Sequence, residues 1–179
     1  MPDNETVTPT GGENSGAETT EANELIMRYQ FESYMKCQDS AFHLIGEGFT
    51  AFPLAMNPKE YTRKYINDKT ERSDVIGYAP SVGYSCDCIK GDPCVQEIVD
   101  ITNNEVVGND THREIVNVDC WDEVSSGEFR ATKRTYAIIP GNKGDGTDAL
   151  IYTGTMKACS DLVKGTFNRE TKVFTPESA

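Results

Sequence analysis

Apolar and polar residues alternate almost without a break from Ile76 to Cys88, with Ile76, Tyr78, Val82, Tyr84, Cys86 and Cys88 on one side. Val75, Gly77, Ala79, Ser81, Gly83, Ser85 and Asp87 fall on the other side, and most of these are small or polar. A period of two sustained over that length predicts a long β-strand with one buried and one free face. A strand so rich in Tyr, Val and Ile does not leave its backbone edge bare in a soluble protein. It is expected to pair within the fold or with a neighbouring copy.

Other segments carry weaker patterns. Leu25, Ile26, Tyr29, Phe31, Tyr34 and Met35 fit a short helix or an extended arm, and the spacing leaves both open. Phe42 to Thr50 reads as a strand interrupted by Gly46 and Gly48, glycines of the kind that mark a bulge or a close backbone approach. After the turn signal Asn57-Pro58, the alternation of Tyr61, Arg63 and Tyr65 predicts a further strand. The run Asn67 to Asp74 is too polar for a core and reads as an exposed hairpin loop before the long strand.

One helix is expected, beginning at Asp92. Asp caps free N–H groups, Pro93 suits the first helical position, and Val95, Ile98 and Val99 form an apolar stripe that ends near Asn103 and Asn104. Beyond Gly108 the patterns are again those of strands: Glu114 to Trp121, Phe129 to Ile139, Leu150 to Ala158 with Leu150, Tyr152, Met156 and Ala158 inward, then residues 162–167 and 171–175. Pro140 to Asp148 is dense in turn residues. About seven strands and one helix predict an α+β fold, a mostly antiparallel β-sandwich or barrel with one flanking helix.

Residues 1–24 hold six acidic groups and no basic one. Such a segment buries too little apolar surface to offset its ordering cost, so it is expected to be a disordered or extended acidic tail. The division that follows is a tail over 1–24, an arm or short helix over 25–41 and a β domain over 42–179. The domain is long enough to bury about 70% of its unfolded surface without metal or disulfide support.

The net charge of −12 argues against a protein that grips nucleic acid through Lys and Arg. Met1 is followed by acidic and polar residues rather than a basic start and an apolar stretch, so no export is expected. No apolar run approaches the ~20 residues of a membrane span. The six cysteines, Cys37, Cys86, Cys88, Cys94, Cys120 and Cys159, are therefore expected as free thiols.

Candidate chemistry is sparse. Cys86, Cys88 and Cys94 are the one grouping that suggests zinc, but the first two share a strand face and lack the usual two-residue spacing. Asn142, Asp145 and Asp148 do not meet the spacing of a calcium loop. Two histidines, His43 and His112, and no nucleophile elbow give no Ser–His–Asp arrangement. Neither an enzyme nor a cofactor is expected. A soluble adhesion or carbohydrate-binding β-domain is the alternative from a different class, and an export signal and an exposed aromatic cluster would favour it.

Several segments together carry a resemblance. They are Gly46-Glu47-Gly48-Phe49-Thr50, Asn57-Pro58-Lys59-Glu60-Tyr61-Thr62-Arg63-Lys64-Tyr65-Ile66 and Glu71-Arg72-Ser73-Asp74-Val75-Ile76-Gly77-Tyr78-Ala79-Pro80-Ser81. Gly144-Asp145-Gly146-Thr147-Asp148-Ala149, Tyr152-Thr153-Gly154, Lys164-Gly165-Thr166-Phe167 and Phe174-Thr175-Pro176 follow. In this order and spacing, residues 42–176 resemble the major tail tube protein of long, non-contractile bacteriophage tails. The same fold is shared with tube proteins of bacterial injection systems.

The resemblance implies hexameric rings stacked into a hollow tube that carries DNA without specific binding. It also implies polymerisation around a tape measure protein, with tail tip and terminator proteins as further partners. The subunits would be assembled in the bacterial cytoplasm and end in the virion. Sheets of neighbouring subunits would line the channel, with the long hairpin and terminal arms bridging rings. Lys69, Thr70, Glu71, Arg72, Ser73 and Asp74 are then the candidate ring-to-ring contact. An acidic lumen would repel DNA phosphates and let the genome pass.

Overall fold

The computed structural model describes residues 24–144 and 146–177. The expectations for residues 1–23, and for Asp145 in the glycine-rich turn, lie outside the described residues. The chain runs through β1 (Phe31–Lys36), β2 (Phe42–Leu44), β3 (Phe49–Ala51) and β4 (Leu54–Ala55), then β5 (Pro58–Arg63) and β6 (Arg72–Tyr78). β7 (Ser81–Asp87) leads into helix α1 (Pro93–Asn103) and the long strands β8 (His112–Ser125) and β9 (Glu128–Lys143). β10 (Ile151–Ala158), β11 (Val163–Asn168) and β12 (Val173–Pro176) follow.

This is an α+β fold, a curled antiparallel sheet with one flanking α-helix among the described residues. The strands lie in the order β2-β1-β8-β9-β10-β7-β3, with β4 also on β7. β9 organises the curl. One edge pairs with β8, while the other gives its first half, Glu128–Lys133, to β11 and its second half, from Tyr136, to β10. β5 and β6 form a separate two-stranded sheet.

Two cores result, because neighbouring residues on a strand face opposite ways. Met35 and Ile115 point into one core with Tyr84, Cys86, Tyr136, Ile138, Tyr152 and Met156. Tyr34 and Val116, their chain neighbours, point into the other with Val118, Ala131 and Phe167. β1 and β8 are thus covered on both faces. The segment expected to be an arm or a short helix holds a 3-10 turn at Arg28–Gln30 and then β1, paired with β2 and β8.

The helix forms where its capping signals place it. Asp92 accepts a bond from the Val95 N–H at 2.8 Å, Pro93 opens the first turn and Asn104 ends it. Val95, Ile98 and Ile101 are buried against the first core. Burying each stabilises the fold by about 1.5–3 kcal/mol.

Other expectations are corrected. The strand Phe42–Thr50 divides into β2 and β3 at the glycines that interrupt it. Leu150 lies just before β10 and is exposed, while Tyr152 and Met156 are buried. Twelve strands, rather than about seven, are present among the described residues. Several are two- or three-residue edge pieces too short to show a period.

The largest correction concerns the long alternation itself. Ala79-Pro80 breaks it into β6 and β7, since proline has no N–H for the ladder. β7 pairs on one side with β10 and on the other with β3 and β4, and Val82, Tyr84 and Cys86 are buried. β6 pairs only with β5, and Ile76 and Tyr78 are exposed.

Candidate functional site

The β5–β6 hairpin is built from its neck outward. Asn57 takes a left-handed conformation, with φ of 44°, and turns the chain into β5. Its carbonyl accepts from the Ala79 N–H at 3.1 Å. Its side-chain amide donates to the Ala79 carbonyl at 3.1 Å and to Ser81 Oγ at 2.8 Å. One residue therefore clasps both ends of the hairpin where it leaves the sheet.

From this neck the register runs Pro58 to Tyr78 through Arg63 to Arg72, with a one-residue step that leaves Ile76 unmatched. The hydroxyls of Thr62 and Ser73 bond across the pair. Arg72 holds Asp68 at 3.0 Å and lies over the Tyr65 ring, while Arg63 lies over Tyr61. No hydrogen bond or ion pair joins residues 60–76 to any other described element.

Every β5 position and all of β6 except Gly77 are exposed. The uncovered apolar side chains are Tyr61, Tyr65, Ile66, Val75, Ile76 and Tyr78. Lys69, Thr70 and Glu71 lie in the hairpin turn, and Arg72, Ser73 and Asp74 open β6. The six candidate contact residues thus share one projecting tip. Sequence reading placed Ile76 and Tyr78 on a buried strand face and Tyr61 and Tyr65 in a strand, and none of them in a contact. Tyr65-Ile66 beside the charged run was the available signal.

The hairpin also differs in charge from its chain. Residues 58–78 hold five basic and four acidic groups, against twelve basic and twenty-five acidic elsewhere. Lys59, Arg63, Lys64 and Lys69 make no ion pair among the described residues.

Cys86 and Cys94 are held as protonated thiols. Burial pushes the Cys86 thiol up to about 11, with Asp87 adding to the effect. Cys94 is raised by its thiol contact with Cys37 and by burial, and its Sγ donates to the His43 carbonyl at 3.6 Å. Protonated thiols of this kind pack as small apolar groups. Among the described residues no three His, Cys, Asp or Glu side chains converge to hold a metal. No described helix is long and apolar enough to cross a membrane.

Tyr34, Glu32 and Arg169 close one end of the second core. Glu32 accepts from the Tyr34 hydroxyl at 2.7 Å and from Arg169 Nε at 3.1 Å. Burial and then the bond to Glu32 push Tyr34 up to about 12. This cluster fastens β1 to the β11–β12 turn.

No protein-family model and no characterised relative matches the chain. Among solved structures, it is similar to a chain of the anti-feeding prophage baseplate, seen by cryo-electron microscopy with 6-fold symmetrisation. The two are 11% identical, the match covers 75% of this chain and 91% of that one, and the TM-score is 0.46. It is also similar to a chain of the PVC sheath–tube complex, an extracellular contractile injection system in its extended state. There the identity is 12%, the coverage 80% and 93%, and the TM-score 0.46.

Proposed function

We propose that this protein is a structural subunit whose copies join into stacked rings around a central bore. The one observation that carries this reading is the uncovered β5–β6 hairpin. A two-stranded sheet alone in water is marginally stable and needs a covering surface. This one holds its shape through a neck clasp and internal pairs while Val75, Ile76 and Tyr78 face solvent. Both its outer edges offer unpaired backbone groups, the arrangement by which chains add strands to one another.

A second copy is the partner that fits. The hairpin is nearly neutral with several unpaired cations, and the remainder of the chain is strongly acidic. Head-to-tail contacts of this type generate rings or filaments rather than closed pairs. The resemblance of residues 42–176 supplies the finer form: hexameric rings forming the tail tube of a long-tailed phage, a conduit for DNA ejected into the host. The tube would be built around a tape measure protein and bounded by tip and terminator proteins. Lys69 to Asp74 would bridge one ring to the next.

Deleting residues 67–74 and closing the turn tests this reading. The variant is expected to keep the circular dichroism and melting behaviour of the full chain yet form no tubes under the electron microscope. Normal tubes from the shortened protein would remove the hairpin tip from the mechanism.

A further inference from the structure

The tip of the β8–β9 hairpin is irregular and partly apolar as well. The ladder between β8 and β9 loses its register between Asp119 and Glu123 and again before Ser125. Bulged segments of this kind re-aim side chains away from the sheet. Here Trp121 and Val124 are left exposed, at 43% and 50%. Residues 119–130 hold four acidic groups, Asp119, Asp122, Glu123 and Glu128, against the single base Arg130.

Arg130 is already engaged, with Nε 2.6 Å from Asp122 and a second contact to Glu177 at 3.4 Å. It therefore answers Asp122 and leaves Asp119, Glu123 and Glu128 without an ion pair among the described residues. Burial, and after it the neighbouring Asp122, raises the Asp119 carboxyl from its ordinary value.

The β5–β6 tip has the opposite composition. Residues 63–69 hold Arg63, Lys64 and Lys69 against Asp68, with Tyr65 and Ile66 exposed between them. Each tip thus pairs two exposed apolar side chains with an excess of one charge, and the two excesses have opposite signs. Within one molecule the two hairpins share no hydrogen bond or ion pair. We infer that the β5–β6 tip of one copy docks on the acidic β8–β9 tip of a second copy, Tyr65 and Ile66 against Trp121 and Val124, with Lys64 and Lys69 facing Asp122 and Glu123.

This pairing rests on the self-assembly reading and names its receiving surface. Opposed charges set register and on-rate, and like charges in their place oppose docking. The ring of exposed cations and carboxylates also makes the contact sensitive to salt.

Charge reversal tests it, with the concentration needed for assembly read by sedimentation and light scattering. Lys64→Glu with Lys69→Glu, and separately Asp122→Lys with Glu123→Lys, are each expected to raise that concentration about tenfold or more. The chain carrying all four changes is expected to recover much of the loss. For the unaltered protein the same concentration must rise with added salt, which needs no variant and no assumption about folding. Tip reversal without effect, no recovery in the combined variant, or salt-independent assembly each overturns the pairing while leaving self-assembly standing. A wild-type chain that remains monomeric at every concentration overturns both.

Discussion

Oε2 of Glu97 receives two N–H bonds from Arg113, at 2.8 Å from Nε and 2.6 Å from the terminal nitrogen. Oε1 accepts the backbone N–H of Gln38 at 2.6 Å. A single buried carboxylate on α1 thereby ties the helix to the start of β8 and to the turn after β1. Removing one partner of a buried pair leaves the other charge unanswered. Glu97→Ala is expected to lose about 3–5 kcal/mol in urea unfolding, and Glu97→Leu combined with Arg113→Met to lose clearly less. A single variant within about 1 kcal/mol of the parent would show that water already solvates this site.

Gly154 of β10 lies opposite Tyr84 of β7. A Cβ there would stand 2.6 Å from the Ile139 carbonyl oxygen and would also collide with the Tyr84 hydroxyl. Since Tyr84 is buried and cannot swing away, Gly154→Ala is expected to cost about 1–3 kcal/mol. Gly77→Ala in the hairpin meets no atom within 4 Å and is expected to change thermal stability little. Equal melting temperatures for the two variants would refute the close-packing argument.

Stability should fall in alkali. Burial raises Cys86 from 9.0 to about 11, and burial with the Glu32 bond raises Tyr34 from 10.0 to about 12. The unfolded chain releases these protons first, so above pH 9 it holds fewer protons than the folded one. The contribution is complete below about pH 9 and is lost as pH rises through the window from 9 to 12. Cys86→Val is expected to flatten the loss between pH 9 and 11 in denaturant titrations. A parent chain equally stable at pH 8 and pH 11 would contradict the burial of both groups.

Trypsin offers a direct view of the hairpin. Arg63, Lys64, Lys69 and Arg72 lie in or beside its exposed turn. The free subunit is expected to be cut first between Arg63 and Arg72, and the assembled protein to resist cutting there. Cleavage at the same rate in both states would place the tip outside any contact between copies.

Much of the fold was legible because local signals and tertiary demands agreed. The helix from Pro93 to Asn103 has its cap, its proline and its apolar stripe in one short span. The buried faces of β7 and β10 follow the period of two, through Val82, Tyr84, Tyr152 and Met156. β1 and β8 were harder, because each is covered on both faces and apolar residues at successive positions blur the alternation.

The break at Ala79-Pro80 was written in the sequence, but an alternation that stays in phase across it concealed the change of sheet. Ile76 and Val82 obey one pattern, yet Val82 is 2% exposed and Ile76 67%. Sequence periodicity reports which positions require cover without saying which molecule provides it. The charged tip was visible as a loop. The turn between Glu114–Trp121 and Phe129–Ile139 was legible too, but the exposure of Trp121 and Val124 was not, since it comes with a bulge that the strand register reveals.

Cryo-electron microscopy of the assembled protein tests the central claim most directly. The expected density is a closed wall around an open bore, with Val75, Ile76 and Tyr78 covered by an adjacent copy and the outer edge of β6 no longer facing solvent. Particles that show separate subunits, or a packing in which the hairpin projects freely into water, would contradict the account.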